Sequence, residues 1–217
     1  MAPKTPESLK IRKKSLTKSS KAWVARQLRD PYVTKAHAMG FRARAAFKLL
    51  EIDEKFHILK PGQSVVDLGC APGSWCQIAA SRNCRVVGID LLPCDPLAGV
   101  VFIQDDFNTE AGYAQVMQAL KSDLVDVVLC DMAANTVGHK ETDGLRTQAL
   151  SELAVDFAIR HLRKGGNFCS KLFMNGYEAE AKKQMAPLFE RVQLYKPESS
   201  RAESREIFLV GVGFKAL

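Results

Sequence analysis

Residues 67–75 read Asp-Leu-Gly-Cys-Ala-Pro-Gly-Ser-Trp, directly after the β-branched start of the apolar run Ser64–Leu68. Such a run, ending in Asp-Leu-Gly and passing through Pro-Gly into a helical pattern, predicts strand, loop and helix in immediate succession. Glycines such as Gly69 and Gly73 let the main chain approach a ligand closely. In open parallel sheets the crevice above this kind of junction is where cofactors bind. The spacing is neither Gly-x-Gly-x-x-Gly nor a Gly-Lys-Ser/Thr phosphate loop, which argues against a dinucleotide or ATP.

Outward from this stretch the alternation continues. A helix is expected near 75–82, strands over Arg85–Asp90 and Val100–Gln104, a helix at 110–121 and a strand at 125–131. A long helix follows at about 147–163, halted by Gly165-Gly166, then a strand at 167–173 and a helix at 176–190. Two final strands, 191–195 and Glu206–Phe214, have no helix between them. The pattern predicts an α/β fold, a mostly parallel sheet with helices on both faces and an antiparallel ending. Upstream, residues 20–30 and 42–56 read as amphipathic helices, and 1–20 as a basic, flexible tail. The expected organisation is therefore that tail and a single domain, 21–217, with its helices at about 21–58 in front.

Composition narrows the class. No run of about 18 apolar residues exists, so no membrane span is expected, and the basic start lacks the apolar segment of a secretory signal. The six cysteines form no Cys-x-x-Cys pair, which argues against zinc and fits a reduced, cytoplasmic protein. Residues 1–50 hold 13 of the 31 Lys and Arg but only 2 of the 24 acids, so all of the +7 excess lies in the first quarter. A localised basic segment is the footprint of phosphate binding or, equally, a solvated tail.

Two further strand ends sharpen the cofactor reading. Asp90 closes the second strand about twenty residues after the loop, where a carboxylate can accept both ribose hydroxyls. Asp105-Asp106-Phe107 follows the third, placed to meet an adenine amino group and cover its ring. A nucleoside cofactor with no pyrophosphate to cradle is the implication, and S-adenosyl-L-methionine fits it.

Four charged residues sit in or beside apolar elements: Lys48 in Phe-Arg-Ala-Arg-Ala-Ala-Phe-Lys-Leu-Leu, Asp131 ending the fourth strand, Lys171 inside the fifth and Glu206 opening the last. Taken singly, each reads as a snorkelling side chain or salt-bridge partner. Together with 41–53, 67–75, 89–96, 104–107, 130–135, 170–173 and 200–208, in that order, they make the chain resemble the FtsJ/RrmJ family of RNA ribose 2′-O-methyltransferases.

The resemblance implies a seven-stranded, Rossmann-like S-adenosylmethionine methyltransferase fold and a tetrad of Lys48, Asp131, Lys171 and Glu206. It further implies cofactor contacts at Gly73, Trp75, Asp90, Asp106 and Asp131, and a uridine in the A-loop of 23S ribosomal RNA as target. Ser74 and Ala134 depart from the family's Pro-Gly-Gly-Trp and Asp-Met-Ala-Pro-Asn, with altered loop stiffness as the expected effect.

A ribose hydroxyl is a weak nucleophile, so the enzyme has to align it and help remove its proton. Lys171 is expected as the proton acceptor, with apolar neighbours and Lys48 favouring its neutral form while Asp131 and Glu206 oppose them. Arg42 and Arg44 are the expected RNA-phosphate contacts, and the large ribosomal subunit the expected partner of a monomeric enzyme. Two rivals stand beside this: a tRNA ribose methyltransferase with the same tetrad, and a non-catalytic RNA-binding ribosome-assembly factor.

Overall fold

The computed structural model describes residues 30–132 and 140–216, with 140–144 described by their backbone alone. The expected tail, the helix at 20–30 and Ala134 lie outside these residues.

Chain order is α1 (Pro31–Ala38), α2 (Ala45–Phe56), β1 (Ser64–Leu68), α3 (Ser74–Ser81), β2 (Arg85–Asp90), β3 (Val100–Gln104), α4 (Glu110–Leu120), β4 (Val125–Cys130), α5 (Lys140–His161), β5 (Leu162–Phe173), α6 (Glu178–Met185), β6 (Phe189–Tyr195) and β7 (Glu206–Phe214). The sheet has seven strands in the order β3-β2-β1-β4-β5-β7-β6. The first five run parallel, and β7 lies antiparallel to both β5 and β6. The expected C-terminal pair therefore forms, but turned inward: its second strand inserts beside β5 and leaves β6 at the edge.

Apolar strands form the centre because both faces are covered. On one face α2 and α3 bring Leu49, Ile52, Trp75 and Ile78 against Val65 and Phe208. On the other, α4, α5 and α6 bring Val116, Phe157 and Met185 against Val128 and Phe168. Burial on both sides explains why β1 is enclosed along its whole length, Asp67 included.

Several elements differ from expectation: the helix expected at 176–190 spans only Glu178–Met185, and β6 begins at Phe189 rather than 191. Helix α1 was not expected, yet Asp30 caps it by accepting from the Tyr32 N–H and Pro31 takes its first position. Helix α5 begins at Lys140, a turn or more ahead of 147. Strand β5 begins at Leu162 rather than after the glycines, because Gly165, at φ +80, carries the chain through a register shift against β4 and pairing resumes at Asn167.

Candidate active site

The carboxyl ends of β1 to β4 open on a cavity of about 610 Å³, lined among others by Gly69, Asp90, Asp106, Phe107, Asp131 and Met132. That volume lies within the roughly 300–1,000 Å³ of small-molecule sites. Gly69 adopts φ +76, and a Cβ there would lie 2.1 Å from Met132 Cγ, so the close approach of the β1 and β4 ends requires glycine.

Asp90 is fixed through both oxygens: Oδ2 accepts the Ala71 N–H at 2.9 Å and Oδ1 the Leu92 N–H at 2.9 Å. Each carboxylate oxygen keeps a further lone pair, enough for two ribose hydroxyls. Asp106 Oδ1 accepts the Asn108 N–H at 2.9 Å, which orients that carboxylate at the cavity wall. Leu91, Leu92, Phe107 and Met132 supply apolar surface for a flat ring.

The four tetrad residues arrive as two ion pairs. Lys48 Nζ donates to Glu206 Oε2 at 2.8 Å. Lys171 Nζ lies 2.9 Å from Asp131 Oδ1, off that oxygen's hydrogen-bonding direction, and donates to the Asp131 main-chain oxygen at 2.6 Å. Strand pairing sets this up, because Lys171 faces Phe208 across β5–β7 and Glu206 projects from the same face two residues earlier. Lys48 Nζ sits 5.7 Å from the Phe208 ring centroid, which seats the Lys48–Glu206 pair against that ring. Burial alone would raise the Asp131 carboxyl, but the Lys171 and Lys48 cations hold it below the ordinary aspartate value.

Sequence reasoning did not single out Asp67 by itself. It is wholly buried under the loop, accepting from Cys76 Sγ at 3.2 Å on Oδ2, while Oδ1 has no hydrogen-bond partner among the described residues. Burial pushes its carboxyl up to about 7, with the Asp131 and Asp90 charges adding to the rise. The signal was present in the sequence as an acid inside an apolar strand.

Two expected cofactor contacts, Gly73 and Trp75, lie off the cavity wall, and the two arginines expected to meet RNA phosphate bind protein groups. Gly73 faces Arg42 and Phe102. Trp75 is buried, donating from Nε1 to the Ala45 carbonyl at 2.9 Å, with its ring tilted 40° to Phe208 at 5.6 Å between centroids. Arg42 donates to the carbonyls of Pro72 and Pro96 at 3.1 and 2.9 Å. Arg44 pairs with Asp30 and donates to the Ser199 carbonyl. Gly73, Trp75 and Arg42 shape the loop from behind, and Arg44 ties α2 to the β6–β7 connection.

A doubly covered sheet of this strand order, with an acid-lined cavity at its switch point, defines a Rossmann-like methyltransferase. Residues 41–214 match the family model described as FtsJ-like methyltransferase. A relative from Hyphomonas neptunium, "Ribosomal RNA large subunit methyltransferase E", is 50% identical over 94% of this chain and 88% of its own. One of the same name from Novosphingobium aromaticivorans is 48% identical over 96% and 94%. A crystal structure of a Plasmodium falciparum protein assigned as a ribosomal RNA methyltransferase superimposes with a TM-score of 0.73 at 30% identity, covering 82% of this chain and all of that one.

The chain belongs to the FtsJ-like methyltransferase family, and it is a methyltransferase.

Proposed function

We propose that the chain transfers the methyl group of S-adenosyl-L-methionine to a ribose 2′-hydroxyl of large-subunit ribosomal RNA, a uridine of the 23S A-loop. The observation that carries this reading is the Lys171–Asp131 pair at the cavity edge with Lys48–Glu206 beside it. The printed names of the relatives support the RNA.

The donor set suits the cofactor. Asp90 fits its ribose, Asp106 its adenine amino group, and Asp131 its cationic end, while Leu91, Phe107 and Met132 flank the ring. When bound, S-adenosyl-L-methionine supplies an activated methyl group. Asp131, held as an anion, is too weak a base for a hydroxyl, so removing the proton falls to an amine. Lys171 Nζ, held between the two Asp131 oxygens, is the amine placed to take it. Lys48, anchored on Glu206, orients the hydroxyl oxygen.

RNA phosphate meets the protein near Arg44, one helical turn before Lys48. Arg44 and Arg201 share the single Asp30 carboxylate, and among the described residues the buried Arg44 Nε and Arg201 Nη2 have no acceptor. The Arg44 and Arg201 guanidinium groups are the cations there for a phosphate, with the Asp30 and Glu51 carboxylates beside them. A monomer working on the large subunit in the cytoplasm completes the reading; no helix among the described residues is long and apolar enough to cross a membrane.

Mass mapping of ribosomal and transfer RNA from cells with and without the gene tests this. Loss of one 2′-O-methyl mark in 23S RNA is the expected result. Loss of a tRNA mark would move the target, and an unchanged methyl map would leave only an assembly factor.

A further inference from the structure

We infer that Arg42 is a positioning residue that ties together the two lips of the cofactor cleft, rather than a contact to RNA phosphate. The inference rests on the cavity above β1–β4 being the cofactor site. One lip is the loop after β1, which contributes Gly69 and Ala71 to the cavity wall; the other is the loop after β2, which contributes Leu91 and Leu92. Arg42 Nη1 donates to Pro72 O of the first at 3.1 Å, and Nη2 donates to Pro96 O of the second at 2.9 Å. These two donors join the lips from outside and the Asp90 carboxylate joins them from the cavity side, with a weaker Cys70 Sγ–Cys94 Sγ contact at 3.8 Å between the same loops.

The guanidinium is itself held in place. Its carbon lies 5.4 Å from the Phe102 ring centroid on β3. Its backbone N–H donates to Gln77 Oε1 at 3.0 Å, and Gln77 Nε2 donates to Gly40 O at 2.8 Å, so both ends of segment 40–42 are fastened to α3. A planar fork so oriented reaches two carbonyls at little further entropic loss, which a flexible ammonium does not match.

The brace also accounts for Gly73. A Cβ there would lie 2.7 Å from Arg42 Nη1 and 2.9 Å from Phe102 Cζ, while the residue stays off the cavity wall. The glycine makes room for the guanidinium, and the φ of +94 turns the chain beneath it. Both contacted groups are main-chain carbonyls, so the brace is indifferent to the loop side chains.

Two measurements test this, one of them independent of any cofactor. In the ligand-free protein, Arg42→Ala should speed hydrogen exchange at the Ala71 and Leu92 amides at least tenfold while amides of β1 and β4 keep their protection. Calorimetry with S-adenosylhomocysteine should show affinity reduced about tenfold or more, from loss of two charge-assisted hydrogen bonds. Millimolar methylguanidinium should restore much of it, and Arg42→Lys should not. RNA affinity and its salt slope should stay at the wild-type value. Unchanged exchange at Ala71 and Leu92 would overturn the brace, and so would unchanged cofactor affinity with a salt slope lowered by about one. If the wild-type protein itself binds no S-adenosylhomocysteine, the cofactor reading fails, and the exchange result still decides the brace.

Discussion

Lys171 Nζ touches Asp131 twice, 2.9 Å from the carboxylate and 2.6 Å from the main-chain oxygen, so a single amine fixes both the side chain and the backbone at the end of β4. Replacing it by methionine keeps the length of the side chain and removes the amine. Methyl transfer should fall by about 10² to 10⁴, the usual reach of one acid–base group, while S-adenosylhomocysteine affinity stays within a few-fold. The change also leaves the half-buried Asp131 carboxylate without its nearest cation, at a cost of about 1–3 kcal/mol. Urea unfolding should therefore show Lys171→Met less stable than wild type, and adding Asp131→Asn should recover part of the loss. A Lys171→Met enzyme with full activity would remove Lys171 from the chemistry.

The Lys48–Glu206 pair separates positioning from fold in a similar way. Both side chains are buried, so Glu206→Gln keeps an acceptor for the lysine but removes the charge. The variant should fold, with kcat reduced and cofactor affinity unchanged, because Lys48 loses its anchor and not its place on α2. Glu206→Ala leaves a buried ammonium without its acceptor and should be the less stable of the two by about 2 kcal/mol or more.

Much of this was legible locally. Strands β1, β2, β3 and β7 begin and end where their apolar runs do, because a run bounded by Gly, Asp or charged residues carries its own limits. The start of β5 was not, since Gly165-Gly166 reads as a stop unless one knows that β4 pairs across it. Each tetrad residue stood out as a charge in an apolar element. Their pairing did not: Lys48 and Glu206 are 158 positions apart, and only the insertion of β7 beside β5 brings them together. The roles of Arg42 and Asp67 depend on what packs around them, which no spacing in the sequence encodes.

Asp67 gives stability a pH dependence whose sign can be worked out. Its folded pKa, about 7, lies above the unfolded value of 3.8. Between those values the folded state holds a proton that the unfolded state has lost. Its contribution is therefore complete below about pH 4 and declines as the pH rises to 7. A shift of about three units sets an upper limit of roughly 4 kcal/mol. Asp67→Asn should flatten this decline, so that the wild type loses more stability than the variant between pH 5 and pH 8 in urea titrations. Parallel pH profiles for the two proteins would mean that Asp67 ionises freely in the folded state.

Arg201 offers the cleanest test of where RNA lies. Its Nε donates to Asp30 Oδ2 at 2.9 Å, its side chain is 28% exposed, and its Nη2 has no acceptor among the described residues. Neighbouring Ser199 and Ser200 hydroxyls are buried and, among the described residues, without hydrogen-bond partners. If a backbone phosphate meets the exposed part of the Arg201 side chain, Arg201→Gln should weaken RNA binding at every sequence alike and lower the salt slope of log K by about one. Cofactor affinity and hydrogen exchange around 69–72 should not change, in contrast to Arg42→Ala. Asp30 keeps Arg44 as a partner, so the loss of stability should stay near 1 kcal/mol. A reduced melting temperature with an unaltered salt slope would make Arg201 a tether for α1 and nothing more.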